Sequence, residues 1–452
     1  MQFYNRKREL DILAKLRQQT VQTARMTVLT GRRRVGKTRL ALEFARNHKH
    51  LYFFIAKKTE RLLCQDFLAE IKKIFPIPII GEIRSFKDIF ALLLELSKNE
   101  QFTLILDEFQ EFYTINTAIY SEIQHLWDIN KDQSQINLIC IGSVYSLINK
   151  IFQNSKEPLF GRADRILYLK PFSIITISHI LADYNRQKPA TLFDWYVLTG
   201  GMPKYMDILA TNTDGSFHDM IDFMVADYSP FLHEGKNVLI EEFGKEYGTY
   251  FSILELISMG KTGRSEIESI MERKIGGYLA RLEDDYNLIE RVRPINAKPS
   301  GRLLKYRLND HFLKFWFRFI HRNWSAVEAG NFNYIKQVLK RDYQTYCGRL
   351  LERFFQDLFS LSGDYNRIGS YWDKKNLNEI DLVAINDLEK IIVMAEIKLN
   401  KERINLRILK EKSKYLLASF PNYKPRWLAL GLEDIPSYLV PERKPPFLSL
   451  RP

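Results

Sequence analysis

The stretch that decides the fold of this chain is an eight-residue loop, Gly31-Arg32-Arg33-Arg34-Val35-Gly36-Lys37-Thr38. It follows a short apolar, β-prone run and precedes residues with helical spacing of their apolar side chains. The spacing G-x-x-x-x-G-K-S/T is that of a phosphate-binding loop, in which glycines let backbone N–H groups point at phosphate oxygens. Lys37 is predicted to reach the β- and γ-phosphates, and the Thr38 hydroxyl to coordinate Mg²⁺. We therefore expect ATP or GTP to bind here; the alternative is a basic turn that fits the pattern by chance.

The composition sets wide bounds on fold and function. The 452 residues are 46% hydrophobic, which is enough for several cores, and the length predicts roughly three domains. Lysine and arginine exceed the acids by 67 to 54, giving a net charge of +13 that permits an anionic partner such as nucleic acid. Three cysteines lie far apart without metal or disulfide spacing. Neither a membrane-length apolar run nor a signal peptide is present, so we expect a soluble cytoplasmic protein.

A second motif supplies acids to the phosphate loop. The apolar residues 102–106 lead directly into Asp107 and Glu108. A buried strand would deliver Asp107 to the Mg²⁺ shell and place Glu108 to polarise the attacking water. The alternative is an exposed turn after a strand, where acids are also common.

Two further polar residues follow predicted strands. Ser143 comes after the apolar run 136–141 and is a candidate to sense the γ-phosphate, or else an ordinary turn serine. Arg162 precedes a fifth strand and could supply charge to the transition state, in cis or from a neighbouring subunit, or else be a surface arginine. A role in trans would require a homo-oligomer. The alternation of strands and helices predicts an α/β fold with a parallel sheet.

Together these motifs resemble the archaeal-type ATPases of the AAA+/STAND group over about residues 1–235. The start, Phe3 to Leu10, looks like the h-h-G-R-x-x-E element of STAND nucleotide switches, with Asn5 where that pattern has glycine. Gly200-Gly201-Met202-Pro203 looks like the G-x-P element of the helical lid that follows the sheet. In the family both elements flank the adenine and sense the nucleotide state. The resemblance therefore implies that Arg6 and Pro203 join the nucleotide-binding set, which we complete with Gly31, Arg32, Arg33, Arg34, Val35, Gly36, Lys37, Thr38 and Arg39.

The middle of the chain predicts a winged helix-turn-helix module. Three helical segments between residues 250 and 285 precede two strands that flank a basic turn. Arg293, Lys298, Arg302 and Lys305 would touch DNA phosphates. The acidic residues 283–285 on the third helix would repel phosphate, so a packing or protein-docking role is the open alternative.

The last third carries a second group of charged residues. Asp381 and Glu396 lie on two apolar segments joined by a short polar loop, with Lys398 two residues beyond Glu396. If the segments pair as a hairpin, the two carboxylates and the lysine meet. A divalent metal would neutralise the carboxylates and activate water, while Lys398 orients water or phosphate. The alternative is a solvated hairpin face. Basic residues between Lys410 and Arg426 would suit a phosphate backbone or a solvated helix equally.

This part resembles the PD-(D/E)xK nuclease fold over roughly residues 330–440, with Glu396-Ile397-Lys398 as its E-x-K element. The resemblance implies that Glu352 completes a metal shell with Asp381 and Glu396. An ATPase joined to such a domain looks like the archaeal ATPase family whose C-terminal domain of unknown function is similar to restriction-type nucleases.

These inferences predict four parts: a P-loop ATPase core over 1–170, a helical lid over 171–240, a winged helix-turn-helix over 241–325 and a nuclease-like α/β domain over 326–452. The first hypothesis is an ATP- and Mg²⁺-dependent ATPase coupled to a metal-dependent, DNA-directed nuclease-like domain. The alternative is a STAND-type regulatory nucleotide switch whose C-terminal domain binds DNA or protein without cleaving it.

Overall fold

The structure, a computed structural model, describes residues 2–76, 82–298, 301, 303–374 and 377–439. The chain divides into two compact units. Residues 4–171 form the first, called here the N-terminal unit, and the chain from residue 172 onward forms the second, the C-terminal unit. Among the helices of the described residues, none is both long and apolar enough to span a membrane.

The N-terminal unit is built on the predicted parallel sheet. Its five strands are β1 (Arg25–Gly31), β2 (His50–Phe54), β3 (Phe102–Asp107), β4 (Ile136–Ile141) and β5 (Arg165–Leu169). Their order across the sheet is β2-β3-β4-β1-β5, and every neighbouring pair is parallel. All residues of β3 and β4 are buried, as expected for central strands covered on both faces. The predicted α/β class with a parallel sheet is therefore confirmed.

Within the described part of this unit, the helices that accompany the sheet are α1 (Lys7–Gln19), α2 (Lys37–Ala45), α3 (Glu60–Ile74), α4 (Phe86–Asn99), α5 (Phe112–Ile115), α6 (Ala118–Asn130) and α7 (Tyr145–Gln153). Aromatic side chains join helices to strands in the core. The Phe67 ring of α3 stacks on Phe53 of β2 at 4.3 Å and meets Phe86 of α4 edge-on at 6.0 Å. Such buried ring pairs contribute stabilisation beyond the area that they bury.

The C-terminal unit begins with five helices: α8 (Ile174–Asp183), α9 (Pro189–Thr199), α10 (Pro203–Asn212), α11 (Phe217–Met224) and α12 (Pro230–Phe243). The second glycine of the pair before α10, Gly201, is required by the backbone conformation at that position. Gly201 has φ +72°, and a Cβ there would lie 2.2 Å from the Phe172 carbonyl oxygen. The Gly201 carbonyl accepts a hydrogen bond from the Phe172 N–H at 2.8 Å. Only glycine allows this conformation and this close backbone approach.

The next elements follow the order that the sequence predicts. Helices α13 (Tyr247–Ser258), α14 (Arg264–Met271) and α15 (Gly276–Asp284) precede an antiparallel pair, β6 (Ile289–Val292) and β7 (Lys305–Leu308). The assignment of this segment as a winged helix stays a prediction. Helix α16 (His311–Phe315) then continues through a wider π-helical turn, and α17 (Trp324–Glu328) follows.

The last part of the unit is a four-stranded sheet packed against helices. Its elements are α18 (Phe332–Ser362), β8 (Arg367–Tyr371), β9 (Ile380–Asn386), β10 (Ile391–Ile397), α19 (Leu406–Leu417), β11 (Lys424–Leu430) and α20 (Ile435–Tyr438). The order is β11-β10-β9-β8. Strands β9 and β10 form the predicted antiparallel hairpin, whereas β11 returns parallel to β10 after α19. Apolar residues of α19, Leu409 and Leu416, complete the core of this sheet.

Two of the boundaries drawn from the sequence need correction. The boundary at 240/241 falls inside α12 and the boundary at 325/326 falls inside α17. A helix is held by hydrogen bonds between successive turns, so a division of the chain belongs in the adjacent loops instead. The remaining division into four parts stays a prediction.

Candidate nucleotide site and carboxylate site

The phosphate loop connects β1 to α2 through three residues with positive φ. Gly31 has φ +143°, and a Cβ there would lie 2.5 Å from the Leu169 carbonyl oxygen. Arg34 has φ +71° and Gly36 has φ +90°. Gly36 immediately precedes α2, so the loop ends at a helix N-terminus, where backbone N–H groups and the helix dipole favour an anion. Strand, loop and helix thus have the arrangement that phosphate binding needs.

Lys37 and Thr38 stand in the first turn of α2. The Lys37 ammonium is buried and donates to the carbonyl oxygens of Gly31 at 2.8 Å and Arg32 at 3.1 Å. The Thr38 hydroxyl donates to Asp107 Oδ2 at 2.7 Å. The hydroxyl and the carboxylate predicted to hold Mg²⁺ are therefore adjacent, and both are oxygen ligands of the kind that Mg²⁺ prefers.

Asp107, at the end of β3, is fixed by more than the threonine. Its Oδ2 also accepts a hydrogen bond from the Tyr52 hydroxyl at 2.9 Å, and its Oδ1 accepts from the Glu108 N–H at 2.9 Å. Burial and the nearby Asp107 charge raise the pKa of Tyr52, so the phenol stays protonated and remains a donor. No local sequence signal pointed to Tyr52, because its contact depends on β2 lying beside β3.

Glu108 adopts φ +56°, which turns its side chain away from the line of β3. Its carboxylate accepts a hydrogen bond from the Ser143 hydroxyl at 2.6 Å and a second from the Gln110 side-chain amide. Ser143 follows β4, the strand that pairs with β3, and is buried. The structure therefore brings two predicted residues together and adds Gln110, whose nearness in sequence to Glu108 was the only available signal.

Arg6 supports the loop from the side. Its guanidinium donates to the Lys170 carbonyl oxygen at 2.6 Å and to the Val35 carbonyl oxygen at 3.3 Å. Asn5 has φ +55°, a left-handed conformation that glycine and asparagine tolerate better than other residues. Asparagine at this position therefore accommodates a left-handed backbone that glycine would also allow. Pro203 begins α10, and Arg34 and Arg39 are exposed; the predicted nucleotide contacts of these residues stay predictions.

The cis role predicted for Arg162 is wrong. Arg162 forms an ion pair with Asp128 at 2.9 Å, and Asp128 lies two residues before the end of α6. Two residues after Arg162, the Asp164 carboxylate accepts a hydrogen bond from the Met26 N–H, at the start of β1. The phosphate loop leaves the opposite end of that seven-residue strand, about 20 Å away. Parallel strands put their amino ends at one edge of the sheet and their carboxyl ends at the other. A contribution from a neighbouring subunit stays a prediction.

A second group of charged side chains lies where β9 begins and β10 ends. The pairing of Leu382 with Ala395 places Asp381 and Glu396 next along the two strands. Asp381 Oδ2 accepts a hydrogen bond from the Ile397 N–H at 2.8 Å. Lys398 Nζ is 3.6 Å from Glu396 Oε1 and donates to the Arg403 carbonyl oxygen at 3.3 Å. The predicted hairpin therefore does bring the acids and the lysine together; we call this group the carboxylate site.

Helix α18 carries a third acid, Glu352, near the carboxylate site. One turn after Glu352, the Gln356 side-chain amide donates to the Asp381 carbonyl oxygen at 3.0 Å, which fixes the helix against β9. Burial, followed by the charge of Asp381, raises the pKa of Glu352. Burial also raises the pKa of Asp381, with a further contribution from Glu396. Crowded, partly buried carboxylates of this kind gain most from a neutralising cation.

The donor set suits a divalent ion that keeps part of its water. Within the described residues, no three His, Cys, Asp or Glu side chains are grouped so that they could hold a metal ion together. Mg²⁺ is commonly held by one or two carboxylates and several waters, and Asp381 with Glu396 offers that number. Lys412 of α19 also reaches this site, with its Nζ 3.7 Å from Glu396 Oε2. In the sequence Lys412 lies among other basic residues, and no local pattern predicted its contact with Glu396.

One of the basic residues predicted to contact DNA beside the turn between β6 and β7 has another contact. Lys305 Nζ lies 4.6 Å from the centre of the Trp372 ring. Before the turn, the Ile295 N–H donates to the Ser370 carbonyl oxygen at 3.0 Å, so Ile295 lies against β8. The DNA contacts of Arg293, Lys298 and Lys305 stay predictions. Arg302 lies outside the described residues.

Comparison with known proteins agrees with the first site. Residues 3–209 match a model described as an ATPase domain predominantly from Archaea, and residues 316–413 match a family, DUF234, described as archaeal and bacterial proteins of unknown function. Residues 3–209 are therefore similar to archaeal-type ATPase domains, and residues 316–413 are similar to a family with no stated function.

Individual relatives extend over more of the chain. An uncharacterized protein of Methanocaldococcus jannaschii, MJECL04, is 28% identical over 380 residues, which is 82% of each chain. The Walker-type ATPase PABY2304 of Pyrococcus abyssi has a similar fold, with a TM-score of 0.54, 18% identity, and coverage of 70% of this chain and 96% of that one. The ORC2 protein of Aeropyrum pernix matches at a TM-score of 0.47 and 14% identity, over 71% of this chain and 94% of that one. The similarity to the Pyrococcus abyssi ATPase is one of fold.

Proposed function

We propose that this protein binds and hydrolyses ATP in its N-terminal unit and that the carboxylate site of its C-terminal unit is a metal-dependent nuclease site acting on DNA. The observation that carries the second half is the meeting of Asp381, Glu396 and Lys398 at the end of one hairpin. Two carboxylates and an ammonium, partly buried on apolar strands, are costly to maintain without a ligand.

In the N-terminal unit the residues divide the work of phosphoryl transfer. Lys37 would exchange the carbonyls of its own loop for phosphate oxygens, and Thr38 with Asp107 would hold Mg²⁺. Glu108 would accept a proton from the attacking water, and Ser143 with Gln110 keep its carboxylate in one orientation. Mg²⁺, when bound, neutralises phosphate charge.

In the C-terminal unit Asp381 and Glu396 would hold a divalent ion with waters as its remaining ligands, and Glu352 would add negative charge nearby. The ion would lower the pKa of a bound water. Lys398 would direct that water or neutralise the phosphate of the backbone to be cut. The surplus of positive charge on the chain would draw DNA toward the protein at low salt.

The decisive experiment incubates the intact protein with linear, circular and branched DNA, with Mg²⁺ or Mn²⁺, and with or without ATP. We expect cleavage by the wild type and none by Asp381→Ala, while Glu389→Ala, an exposed acid at the far end of the same hairpin, cuts normally. Lys37→Ala is expected to lose ATP hydrolysis. An intact protein that cuts none of these substrates would refute the nuclease half, and normal ATP turnover by Lys37→Ala would refute the account of the first site.

A second candidate function is a nucleotide switch whose C-terminal unit binds DNA or protein without cutting. Two observations favour it: the described residues contain no group of three metal-binding side chains, and Lys398 is already engaged by Glu396 and a backbone carbonyl. This candidate predicts ATP-dependent binding of DNA or protein with no metal-dependent cleavage.

A further inference from the structure

The most informative unexplained feature of the carboxylate site is that one carboxylate faces two lysines. Lys398 Nζ lies 3.6 Å from Glu396 Oε1, and Lys412 Nζ lies 3.7 Å from Glu396 Oε2. Lys398 comes from the same strand as Glu396, whereas Lys412 comes from α19. The Glu396 side chain is only 17% exposed, so both ammonium groups give up part of their hydration to reach it.

Lys412 is held in this position by a well-anchored helix. Leu409 and Leu416 of α19 are buried in the core of the sheet, and the Ser413 hydroxyl accepts a hydrogen bond from the Trp427 indole N–H at 2.9 Å. The two neighbouring lysines are engaged elsewhere: Lys410 lies over the Trp427 ring, and Lys414 pairs with Glu411 at 2.6 Å. Lys412 therefore reaches the site because α19 is docked with that position inward.

Lys412 can contribute to DNA binding if a divalent ion occupies the carboxylate site. The ion and Lys412 would compete for the same Glu396 oxygens, because both are cations. Once the ion has taken Glu396, the ammonium needs another anion close by, and the anion that a nucleic acid brings to such a site is a backbone phosphate.

Resting on the nuclease function proposed above, we infer that Lys412 is a phosphate-binding residue that exchanges partners. It neutralises Glu396 in the metal-free protein and turns to a DNA phosphate when a divalent ion occupies Asp381 and Glu396. Lys412 would thereby couple the two ligands, because metal binding frees the group that grips DNA.

The test measures two affinities on the intact protein at pH 8: that for Mn²⁺, by calorimetry, and that for a fluorescent DNA duplex in Ca²⁺, by anisotropy. Lys412→Ala is expected to bind Mn²⁺ about 3- to 10-fold more tightly, because a competing cation is gone. It is expected to bind DNA about 5- to 20-fold more weakly, with a salt-dependence slope smaller by about 1. Lys414→Ala, which removes the same charge from the same helix, is the control, and Lys412→Arg should restore DNA binding.

The exchange of partners by Lys412 predicts changes of opposite sign in Lys412→Ala: tighter Mn²⁺ binding and weaker DNA binding. If Lys412→Ala weakens both affinities, or matches Lys414→Ala in both, Lys412 has only a structural or general electrostatic role and the inference is wrong. Failure of the nuclease proposal gives a different result: the wild type then binds no Mn²⁺ at this site, and Asp381→Asn leaves the Mn²⁺ titration unchanged.

Discussion

The orientation of the Glu108 carboxylate depends on neighbouring side chains. The sequence supplies an acid at the end of a strand, but the orientation of the carboxylate comes from hydrogen bonds with Ser143 and Gln110. Glu108 also holds a positive φ, a conformation that is unfavourable for a side chain of its size. Strain together with two specific donors indicates a carboxylate that is kept in one place for a purpose.

The first prediction concerns Gln110. Gln110→Ala removes one of the two donors and leaves Ser143 alone to orient Glu108, so we expect ATP turnover to fall about 10-fold. The affinity for ATP should change less than 2-fold, because Gln110 does not lie in the phosphate loop. Steady-state hydrolysis and equilibrium binding of a fluorescent ATP analogue give the two quantities. An equal loss of affinity and turnover would show that Gln110 supports the fold of the site rather than Glu108.

At the scale of elements, α18 carries charged residues that contact several other elements of the C-terminal unit. Glu352 on one side lies near the carboxylate site, while Arg353 pairs with Asp357 at 3.0 Å and with Glu290 of β6 at 3.3 Å. The Asp357 carboxylate also accepts a hydrogen bond from the Tyr196 hydroxyl of α9 at 2.8 Å. One helix therefore ties α9 and β6 together through a partly buried network of charged and polar side chains.

Lys314 of α16 lies beside this network and is the basis of the second prediction. Burial, with added repulsion from Arg307 and Arg353, lowers the pKa of Lys314 to about 7. The unfolded chain, whose lysine keeps its ordinary pKa near 10.4, therefore binds more protons than the folded protein between about pH 7 and pH 10. It follows that this group costs the folded state most at pH 7 and below, and that the cost disappears as the pH rises through that window.

Lys314→Met should accordingly raise the free energy of unfolding by about 1–3 kcal/mol at pH 7 and by less at pH 9. Urea denaturation of wild type and variant at the two pH values measures the difference. Lys340→Met, an exposed position on α18, serves as the control and should change little. A variant that is less stable than the wild type by the same amount at both pH values would contradict the assignment of Lys314 as a buried, costly charge.

At the scale of the whole molecule, the division into two compact units predicts separate responses to two ligands. ATP with Mg²⁺ at 100 times its dissociation constant should stabilise the N-terminal unit by about 2.7 kcal/mol, and Mn²⁺ alone should stabilise the C-terminal unit. Lys37→Ala should abolish only the first effect, and Asp381→Asn should weaken only the second.

Differential scanning calorimetry of the full chain provides the measurement, since two units allow two unfolding transitions. The Glu389→Ala protein should show both shifts. Loss of both shifts in either single variant would mean that ligand binding at one site depends on the other site, against the third prediction.

Much of this arrangement could be predicted from local patterns. Three motifs each occupy a few consecutive residues: the phosphate loop, the acids at the end of β3, and the pair Glu396 and Lys398. The chemistry that they imply can therefore be predicted from the sequence without knowledge of the fold. The hairpin of β9 and β10 is likewise local, because a short polar turn joins two apolar strands.

What local patterns could not decide depends on the order in which strands and helices pack. Tyr52 reaches Asp107 because β2 lies beside β3, and Lys412 reaches Glu396 because α19 docks with one face on the sheet. Arg162 is a case in which the local pattern predicted a contact that the fold does not make. Its sequence context suited a catalytic arginine, but the direction of β1 and β5 puts it at the opposite edge of the sheet from the phosphate loop. The sequence by itself thus determined the motifs on which the proposed chemistry rests, since each motif is a short run of residues. The tertiary structure alone decided which side chains meet, because those contacts join residues far apart in the chain through a strand order that no local pattern specifies.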